Sequence, residues 1–316
     1  FDKIVIALSR TNLPNRRAKV EYIGIGVERE FDGKMLTDVK MVHETNLISD
    51  TVPINVLDAS FHSDTDTDYV FQRKQPVSAY DDDNLIGVYY IENGERTGGE
   101  TYSISCQDAI GVLDLDTYKG GLWIDYVPVE QILHDIVGGS FVLDISEEVR
   151  SMELRGHIPE GTKREALQQV CFALGACVDT AGTNAIKLFL PATGRGTEIP
   201  PTETYTGGKV STSDIVTEVE VTAYDIFEWE PGDGDDYIEF DGKQYKCSIN
   251  VFNARNPNVT AGTLENKITI DGCYLITVDN AWQRAQDILA YYMRRETYNA
   301  KHILSGQQLG DRSAVY

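Results

Sequence analysis

Acidic residues come nearest to a known ligand pattern in this chain. Asp64, Asp66 and Asp68 in SDTDTDYV have the alternating spacing that begins an EF-hand calcium loop. Such a loop also needs Gly at its sixth position and Glu at its twelfth, where this chain has Tyr69 and Gln75. A second acidic run, PGDGDDYIEF, also lacks the later ligands; its aspartates are Asp233, Asp235 and Asp236. The missing ligands favour solvated turns over calcium sites in both runs, and calcium binding is kept as the alternative.

Motifs for nucleophilic, nucleotide or zinc chemistry are missing. The chain has no GxSxG elbow and no Walker loop, and its GIGVER stretch ends in Arg29 where GxGxxG needs Gly. The histidines show no HxH or HExxH spacing, and we interpret each as a surface or capping residue: His43, His62, His134, His157 and His302. Fifty acidic residues offer many carboxylate pairs for a glycosidase and identify none. The sequence therefore predicts no enzyme, and no catalytic, cofactor-binding or metal-binding residue.

Charge and length narrow the classes of protein. The 316 residues include 50 acidic and 28 basic ones, which gives a formal charge of −22. A DNA-binding domain usually has a stripe of basic residues, so this composition argues against DNA binding. The length predicts two or three domains. No apolar run approaches the roughly 18 residues of a membrane span. The first residues run from apolar to basic, the reverse of a signal peptide.

Cysteine usage predicts buried, reduced thiols made in a cytoplasm. The number is odd and no CxxC pair occurs, unlike a secreted disulfide framework. Cys171 and Cys177 resemble a redox pair in spacing alone, because a helical pattern already places Cys171 in a core. The five residues are Cys106, Cys171, Cys177, Cys247 and Cys273.

Most of the chain has the pattern of β-strands joined by tight turns. The pentapeptide EFDGK occurs at 30–34 and again at 239–243, each time between runs rich in β-branched and aromatic residues. Asp-Gly tolerates the positive φ of a type I′ turn, so both copies predict hairpins. Asn93-Gly94 predicts a third hairpin turn. Turn chemistry alone explains the repeat, which is also compatible with two similar β-domains.

Three segments predict helices. One has apolar residues at helical spacing, with Pro128 before it and Gly138-Gly139 after it: Val129, Ile132, Leu133, Ile136 and Val137. Another starts with a Thr162–Glu165 capping box and ends at Gly175; its apolar face is Ala166, Leu167, Val170, Cys171 and Leu174. The last, within 278–299, has Asp279 or Asn280 as its cap and a stripe formed by Trp282, Ala285, Leu289 and Tyr292.

Four segments, in this order, resemble baseplate-hub or tail-tip proteins of tailed bacteriophages and prophages. They are the Ser49–Asp58 stretch SDTVPINVLD, ISCQDAIGVLDLDTYKGGLW, GHIPEGTKREALQQVCFALGACVDT, and the terminal AWQRAQDILAYYMRRETYNAKHILSGQQLGDRSAV. The capped helix at Thr162 and the terminal helix followed by GDR carry most of the resemblance. The Asp-rich insertion at 64–68 departs from the family. Many relatives also continue beyond the point that corresponds to Tyr316, into a peptidoglycan-cutting or fibre region.

This resemblance implies a mostly β, α+β fold. It consists of two β-barrel-like tube domains, a small α/β domain inserted outside them, and a long C-terminal helix. The expected boundaries are 1–115, 116–190 and 191–316, with a linker at 191–208, and the barrels exchange strands in some versions of this arrangement. EFDGK would then mark one hairpin in each barrel, a trace of duplication.

The implied function is structural. A homotrimer would form a pseudo-sixfold ring that continues the tail tube and contacts distal tail and tube proteins, in a virion tail built in the bacterial cytoplasm. Acidic residues would face either the lumen, where they repel DNA, or simply the exterior. The alternatives are a carbohydrate- or receptor-binding module, suggested by 17 Tyr and three Trp (Trp123, Trp229 and Trp282), and a tail-associated hydrolase. Helical spacing predicts that Trp282 belongs to the core.

Overall fold

A computed structural model describes residues 29–63, 71–192, 197–232, 234–303 and 313–315. The Asp64–Asp68 run and Asp233 lie outside these described residues. The described chain is mostly β, which confirms the predicted class. No helix in this part of the chain has the length and apolarity needed to cross a bilayer.

The first sheet is a five-stranded antiparallel sheet with the order β1-β2-β5-β4-β3. Its strands are β1 (Leu36–Val42), β2 (Val56–His62), β3 (Pro76–Asp81), β4 (Asn84–Gly98) and β5 (Thr101–Gln107). Side chains alternate along the central strands, so one face of the sheet is buried. That face holds a cluster of its own: Leu57, Ala59, Phe61, Tyr89, Ile91, Tyr102, Ile104 and Cys106.

Turn chemistry correctly predicts the hairpin at the second EFDGK. Asp241 and Gly242 have φ of 51° and 73°, so the second EFDGK closes a two-residue hairpin with positive φ at both central positions. In the first EFDGK, Gly33 does not adopt positive φ. There the Asp32 carboxylate accepts the Lys34 backbone N–H at 3.0 Å, in a turn that leads into β1. Most of the strand predicted before this turn, in 20–30, lies outside the described residues.

Asn93-Gly94 is not a turn, and this prediction was wrong. The dipeptide lies inside β4, beside a register shift between Ile91 and Asn93, and pairs with β5. Gly94 is required there for a different reason: a Cβ would overlap the Phe71 ring. The β4–β5 reversal lies farther on, where Gly99 has a φ of 50°.

The middle of the chain packs short strands against helices. Its elements are α1 (Ala109–Asp114), β6 (Thr117–Tyr118), β7 (Gly121–Pro128), α2 (Val129–Val137), β8 (Val142–Ile145), α3 (Glu147–Arg150), β9 (Glu153–Ile158), β10 (Gly161–Thr162), α4 (Lys163–Leu174), β11 (Cys177–Asp179) and β12 (Ala185–Phe189). Strand β12 pairs antiparallel with β11 and parallel with β8. Strand β7 pairs with β9, and β6 with β10.

The two helices predicted in this region are confirmed. All five apolar residues predicted for α2 are fully buried, and the helix ends at Gly138 with a φ of 67°. In the capping box of α4, the Thr162 hydroxyl accepts the Glu165 N–H at 3.1 Å, and the Glu165 carboxylate accepts the Thr162 N–H at 2.7 Å. Helix α4 ends at Gly175 in the left-handed conformation. Leu174 is only half-buried.

The last part of the chain forms a second sheet, with the order β16-β17-β15-β18. Its elements are β13 (Thr197–Ile199), a 3₁₀ turn (Pro201–Glu203), β14 (Lys209–Thr212), β15 (Glu218–Phe227), β16 (Tyr237–Phe240), β17 (Lys243–Arg255), β18 (Lys267–Ile270), α5 (Ala281–Tyr292), β19 (Glu296–Asn299) and β20 (Ser313–Val315). Strands β15 and β17 pair antiparallel, whereas β18 joins β15 in parallel. Strand β14 pairs with β19, and β13 with β20.

The predicted long C-terminal helix is corrected to a helix of 12 residues. Helix α5 ends at Tyr292, and the chain then extends into β19. Its buried face consists of Ala281, Arg284, Ala285, Ile288 and Leu289. Trp282 is 53% exposed, so its assignment to the core was wrong. Asn280 is the residue before the helix, but its side chain accepts the Thr277 N–H at 2.9 Å and does not cap α5.

One large apolar cluster connects these elements. It includes Ile48 and Val52 from the segment after β1, the buried face of α2, Leu167 of α4, and the inner faces of β15 and α5. A smaller cluster joins Leu122 and Ile124 of β7 to the far end of the second sheet. The domain boundaries at residues 115 and 190 stay a prediction.

Strand β9 approaches the segment before α5 so closely that Gly156 has no room for a side chain. Gly156 has a φ of 130°, and a Cβ there would overlap the Tyr274 carbonyl oxygen. We expect Gly156→Ala to destabilise the fold by about 3 kcal/mol or more, because strain and overlap add. Urea unfolding measures the loss. Gly139→Ala is the control, since a Cβ there meets nothing within 4 Å; equal effects of the two variants would contradict the close approach.

Candidate functional site at the open sheet edges

The residues that suggested metal or catalytic chemistry have structural roles where they are described. The Asp235 carboxylate accepts the Gly232 N–H at 2.9 Å and pairs with Lys246 at 2.9 Å, and the Lys246 hydrogen bond lowers its pKa. Asp236 uses its backbone carbonyl to accept the Cys247 N–H. Within the described ranges, no three His, Cys, Asp or Glu side chains cluster closely enough to hold a metal ion.

The histidines lie in separate places. His157 is buried, which corrects its expected surface position: its Nδ1 donates to the Gly121 carbonyl at 3.0 Å, and burial lowers its pKa. The others are half-buried or exposed, and their contacts include Tyr89 for His43, Glu100 for His62, Glu130 for His134 and a bridge with Thr204 for His302.

The five cysteines are buried and unbonded to one another, as predicted for their burial. Burial raises the pKa of Cys177 to about 11 and moves that of Cys171 in the same direction. Both thiols therefore stay protonated at neutral pH, and thiols are poor nucleophiles compared with thiolates. Their surroundings support packing and give no sign of redox chemistry.

Open strand edges are the feature that these sheets leave available for binding. Among the described strands, β1 and β3 each have one partner in the first sheet, and β16 and β18 each have one in the second. An edge strand presents backbone N–H and C=O groups that can pair with another chain. The edges carry exposed apolar side chains as well, including Val39 on β1, Tyr80 on β3 and Tyr237 on β16.

The outer face of the second sheet changes character along its length. At one end Arg255 pairs with Glu218 at 3.1 Å, and Lys267 pairs with Glu220. Farther along β17, Ile249 and Val251 are exposed on the same face. This face therefore combines neutralised charge with a small apolar area, a composition suited to contact with another protein surface.

An aromatic group lies next to strand β16. Trp229 is 55% exposed and stacks on Phe227 with ring centroids 4.6 Å apart and planes 16° apart. The Trp229 carbonyl accepts the Lys246 N–H, and Lys246 pairs in register with both Phe227 and the exposed Tyr237. Exposed, preoriented aromatic rings of this kind can pack against an apolar or sugar surface.

Two arginines connect the middle of the chain to the last part. On β9, the Arg155 guanidinium binds Asp225 of β15 at 2.7 Å and Asp279 at 2.9 Å, and Asp279 also accepts the Tyr126 hydroxyl at 2.6 Å. Arg155 also lies over the Tyr126 ring. Asp225 is buried, and its pair with Arg155 compensates for the loss of water around its carboxylate.

The second arginine, Arg284 of α5, is only 5% exposed. Its guanidinium donates to the Ile48 carbonyl at 3.4 Å, pairs with Asp287 at 3.4 Å, and lies over the Phe172 ring. It also occupies the space beside Gly175, at the C-terminus of α4, where the helix dipole favours a cation. Burial lowers the pKa of Arg284.

A buried carboxylate joins the first sheet to the middle of the chain. Asp108, 1% exposed, caps α1 by accepting the Gly111 N–H at 3.2 Å and accepts the Thr180 hydroxyl at 2.7 Å. The Thr180 hydroxyl in turn accepts a hydrogen bond from the side-chain amide of Asn55. The backbone carbonyl of Asn55 accepts the Asp108 backbone N–H. Burial raises the pKa of Asp108 to about 6, although these hydrogen bonds oppose the shift. No sequence pattern predicted helix α1 or this network.

Comparison with known proteins identifies the fold. No protein-family model and no curated protein sequence matches the chain. A tail protein from Neisseria meningitidis MC58 is similar in structure, with a TM-score of 0.56 and 13% identity over 87% of this chain and 81% of the other. A prophage tail protein from Listeria monocytogenes EGD-e has a TM-score of 0.55 and 10% identity, over 89% of this chain and 80% of the other. A tail protein of prophage MuSo2 from Shewanella oneidensis has a TM-score of 0.50 and 11% identity, over 84% of this chain and 81% of the other. The resemblance to phage tail proteins is thus confirmed for the fold.

Asp108 makes stability depend on pH in a defined window. Its pKa is about 6 in the folded chain against an ordinary 3.8, so the folded state holds the proton more tightly. This residue's contribution is therefore fully present below about pH 4, and ionisation removes it as pH rises to about 6. A two-unit difference in pKa corresponds to about 3 kcal/mol.

We expect Asp108→Asn to remove this dependence, because the amide keeps an acceptor for Gly111 and never ionises. We expect the free energy of unfolding of the variant minus that of wild type, both measured by urea titration, to rise by about 3 kcal/mol between pH 4 and pH 6.5. Asp144→Asn, on an exposed side chain of β8, is the control. A constant difference between wild type and Asp108→Asn across that range would refute the prediction.

Arg155 stabilises the fold mainly through its pair with the buried Asp225. We expect Arg155→Gln to destabilise the chain by about 3 kcal/mol, because Asp225 would keep an unpaired buried charge. Asp279→Asn should cost no more than about 1 kcal/mol, since that carboxylate is half exposed. Adding Asp225→Asn to Arg155→Gln should recover part of the loss in thermal or urea unfolding. If the double variant is as unstable as the sum of the single ones, the pair is not coupled.

Proposed function

We propose that this chain is a structural component of a phage or prophage tail. In this proposal it is a hub or tail-tip protein whose copies form a ring that continues the tail tube and anchors distal parts. The observation that carries the proposal is the tail-protein fold together with two sheets whose outer strands each have one partner among the described strands. Sheets with open edges can close into a ring when neighbouring copies pair along them.

The proposed partners are other copies of the chain, as a homotrimer, and the distal tail and tube proteins. The two sheets would serve as the cores of two tube domains, at 1–115 and 191–316, with the α/β domain at 116–190 outside the ring. Three copies with two such domains each would give six similar units around the axis. The chain would act in the virion tail after synthesis in the bacterial cytoplasm.

The proposed role is positional and needs no catalysis. Buried Asp108 and Arg284 and half-buried Arg155 support this, because each is used in contacts between elements. Zymography on bacterial cell walls tests the hydrolase alternative. Cleared zones produced by the purified chain would replace the structural proposal with a lytic one.

A receptor- or carbohydrate-binding role is the second candidate, favoured by one observation. Trp229 is exposed and stacked on Phe227 beside Tyr237, an arrangement that suits packing against a sugar ring. Binding to a glycan array that Trp229→Ala abolishes would support this role. Trp282→Ala, which removes an equally exposed indole from α5, is the matched control.

The ring proposal predicts self-association. We expect light scattering behind size exclusion to give three times the monomer mass as concentration rises, and electron microscopy of the same fractions to show rings. The expected cause is edge pairing, so proline at Val39 in edge strand β1 should lower the trimer fraction, and proline at the exposed Leu264, outside the strands, should not. A monomer at every concentration, combined with Trp229-dependent glycan binding, would favour the second candidate.

A further inference from the structure

A groove with a volume of about 580 Å³ lies between edge strand β18 and helix α4. Ile268 and Ile270 of β18 form part of one wall, and Gln168 and Phe172 of α4 form part of the other. Tyr292, at the end of α5, also lines it. An open strand edge facing a helix is the geometry in which an extended peptide can be added to a sheet.

The groove is acidic. Four carboxylates line it, those of Asp50, Glu160, Glu165 and Asp271. Its described lining includes no lysine or arginine. The charge of Asp50 acts on Tyr292, whose pKa is raised first by burial and then by this carboxylate. A basic segment would therefore be attracted to the groove, whereas an acidic one would be repelled.

The groove wall also contains an unsatisfied acceptor. The side-chain oxygen of Gln169 is buried without a hydrogen-bond partner among the described residues. Cys273, across the groove floor, donates to the Gln169 backbone carbonyl, so the side-chain oxygen is not used in that contact. Buried acceptors are normally paired, and a donor from a bound segment would satisfy this one.

We propose that the groove binds residues 15–20 of a second copy of this chain, added along β18. This stretch, NRRAKV, has three basic residues in six and no acidic one, in a chain of formal charge −22. Six residues are also enough to pair along the four of β18. Bound as an extended strand, this segment would place Arg17 and Lys19 on one side, and Arg16, Ala18 and Val20 on the other. The inference rests on the proposed function, since it names one contact of the self-assembly.

Disulfide trapping tests the contact in the full-length chain. One chain carries Arg17→Cys with one affinity tag, and another carries Thr269→Cys, on an exposed position of β18, with a second tag. The native cysteines are all buried, so the two introduced thiols should react first. Mild oxidation of the mixture should give a doubly tagged dimer joined between residues 17 and 269, identified by mass spectrometry.

Matched variants test whether trapping depends on the edge of β18 and on the acidic charge of the groove. Ser78→Cys, an exposed position on edge strand β3, replaces Thr269→Cys in the control and should give about tenfold less doubly tagged dimer. Glu160→Lys in the Thr269→Cys chain should lower trapping several-fold. Adding Arg16→Glu and Lys19→Glu to the Arg17→Cys chain should then restore it.

The alternative outcomes are distinct. A chain with both cysteines that forms only an internal 17–269 disulfide, with no doubly tagged dimer, would show that the segment binds its own groove and would overturn the second-copy proposal. Absence of a 17–269 bond in either format would also overturn the proposal. Light scattering on the same samples separates the two levels: trimers without trapping keep the proposed function and reject this contact. Monomers without trapping also reject this contact, and they reject the proposed function when glycan binding depends on Trp229.

Discussion

Burial of the Arg284 guanidinium is the constraint on which much of this arrangement depends. A charged group at 5% exposure is tolerated only when fixed partners replace its water. Those partners come from separate parts of the chain: the Ile48 carbonyl after β1, the Phe172 ring and the C-terminus of α4, and Asp287 of α5 itself. Moving any one of these elements would remove part of the compensation for the buried cation, so their relative positions are constrained.

Asp108 and Arg155 apply the same principle at two other contacts. Asp108 ties the segment before β2 and the end of β11 to the start of α1, and Arg155 ties β9 to β15. Apolar clusters hold the elements together but would allow them to shift along one another, whereas hydrogen-bonded charged groups fix their relative positions. Asp108, Arg284 and the half-buried Arg155 therefore fix the relative positions of the elements that they join.

Sequence patterns predicted the elements whose causes are local. Apolar periodicity identified α2, the capping box fixed the start of α4, and Asp241-Gly242 specified a hairpin, because each depends on neighbouring residues alone. Asn93-Gly94 failed because pairing with β5 and the approach of Phe71 outweighed turn preference. Trp282 failed because Arg284, a residue that patterns assign to solvent, occupies the buried face of α5. Long-range networks such as that of Asp108 leave no local pattern.

The same distinction applies to the candidate site. Its chemistry is mostly that of the backbone, which no residue pattern marks: β18 is an ordinary alternating strand, and its position at the end of the sheet leaves one of its edges without a partner among the described strands. Most large apolar side chains are used inside the chain, and those that stay exposed include aromatic residues and small apolar areas such as Ile249 with Val251. In the proposed assembly, strand pairing and charge would therefore act together with small apolar contacts. A strongly acidic chain favours this mode, since repulsion between copies prevents unspecific contact and only a segment of opposite charge can approach a groove lined by carboxylates.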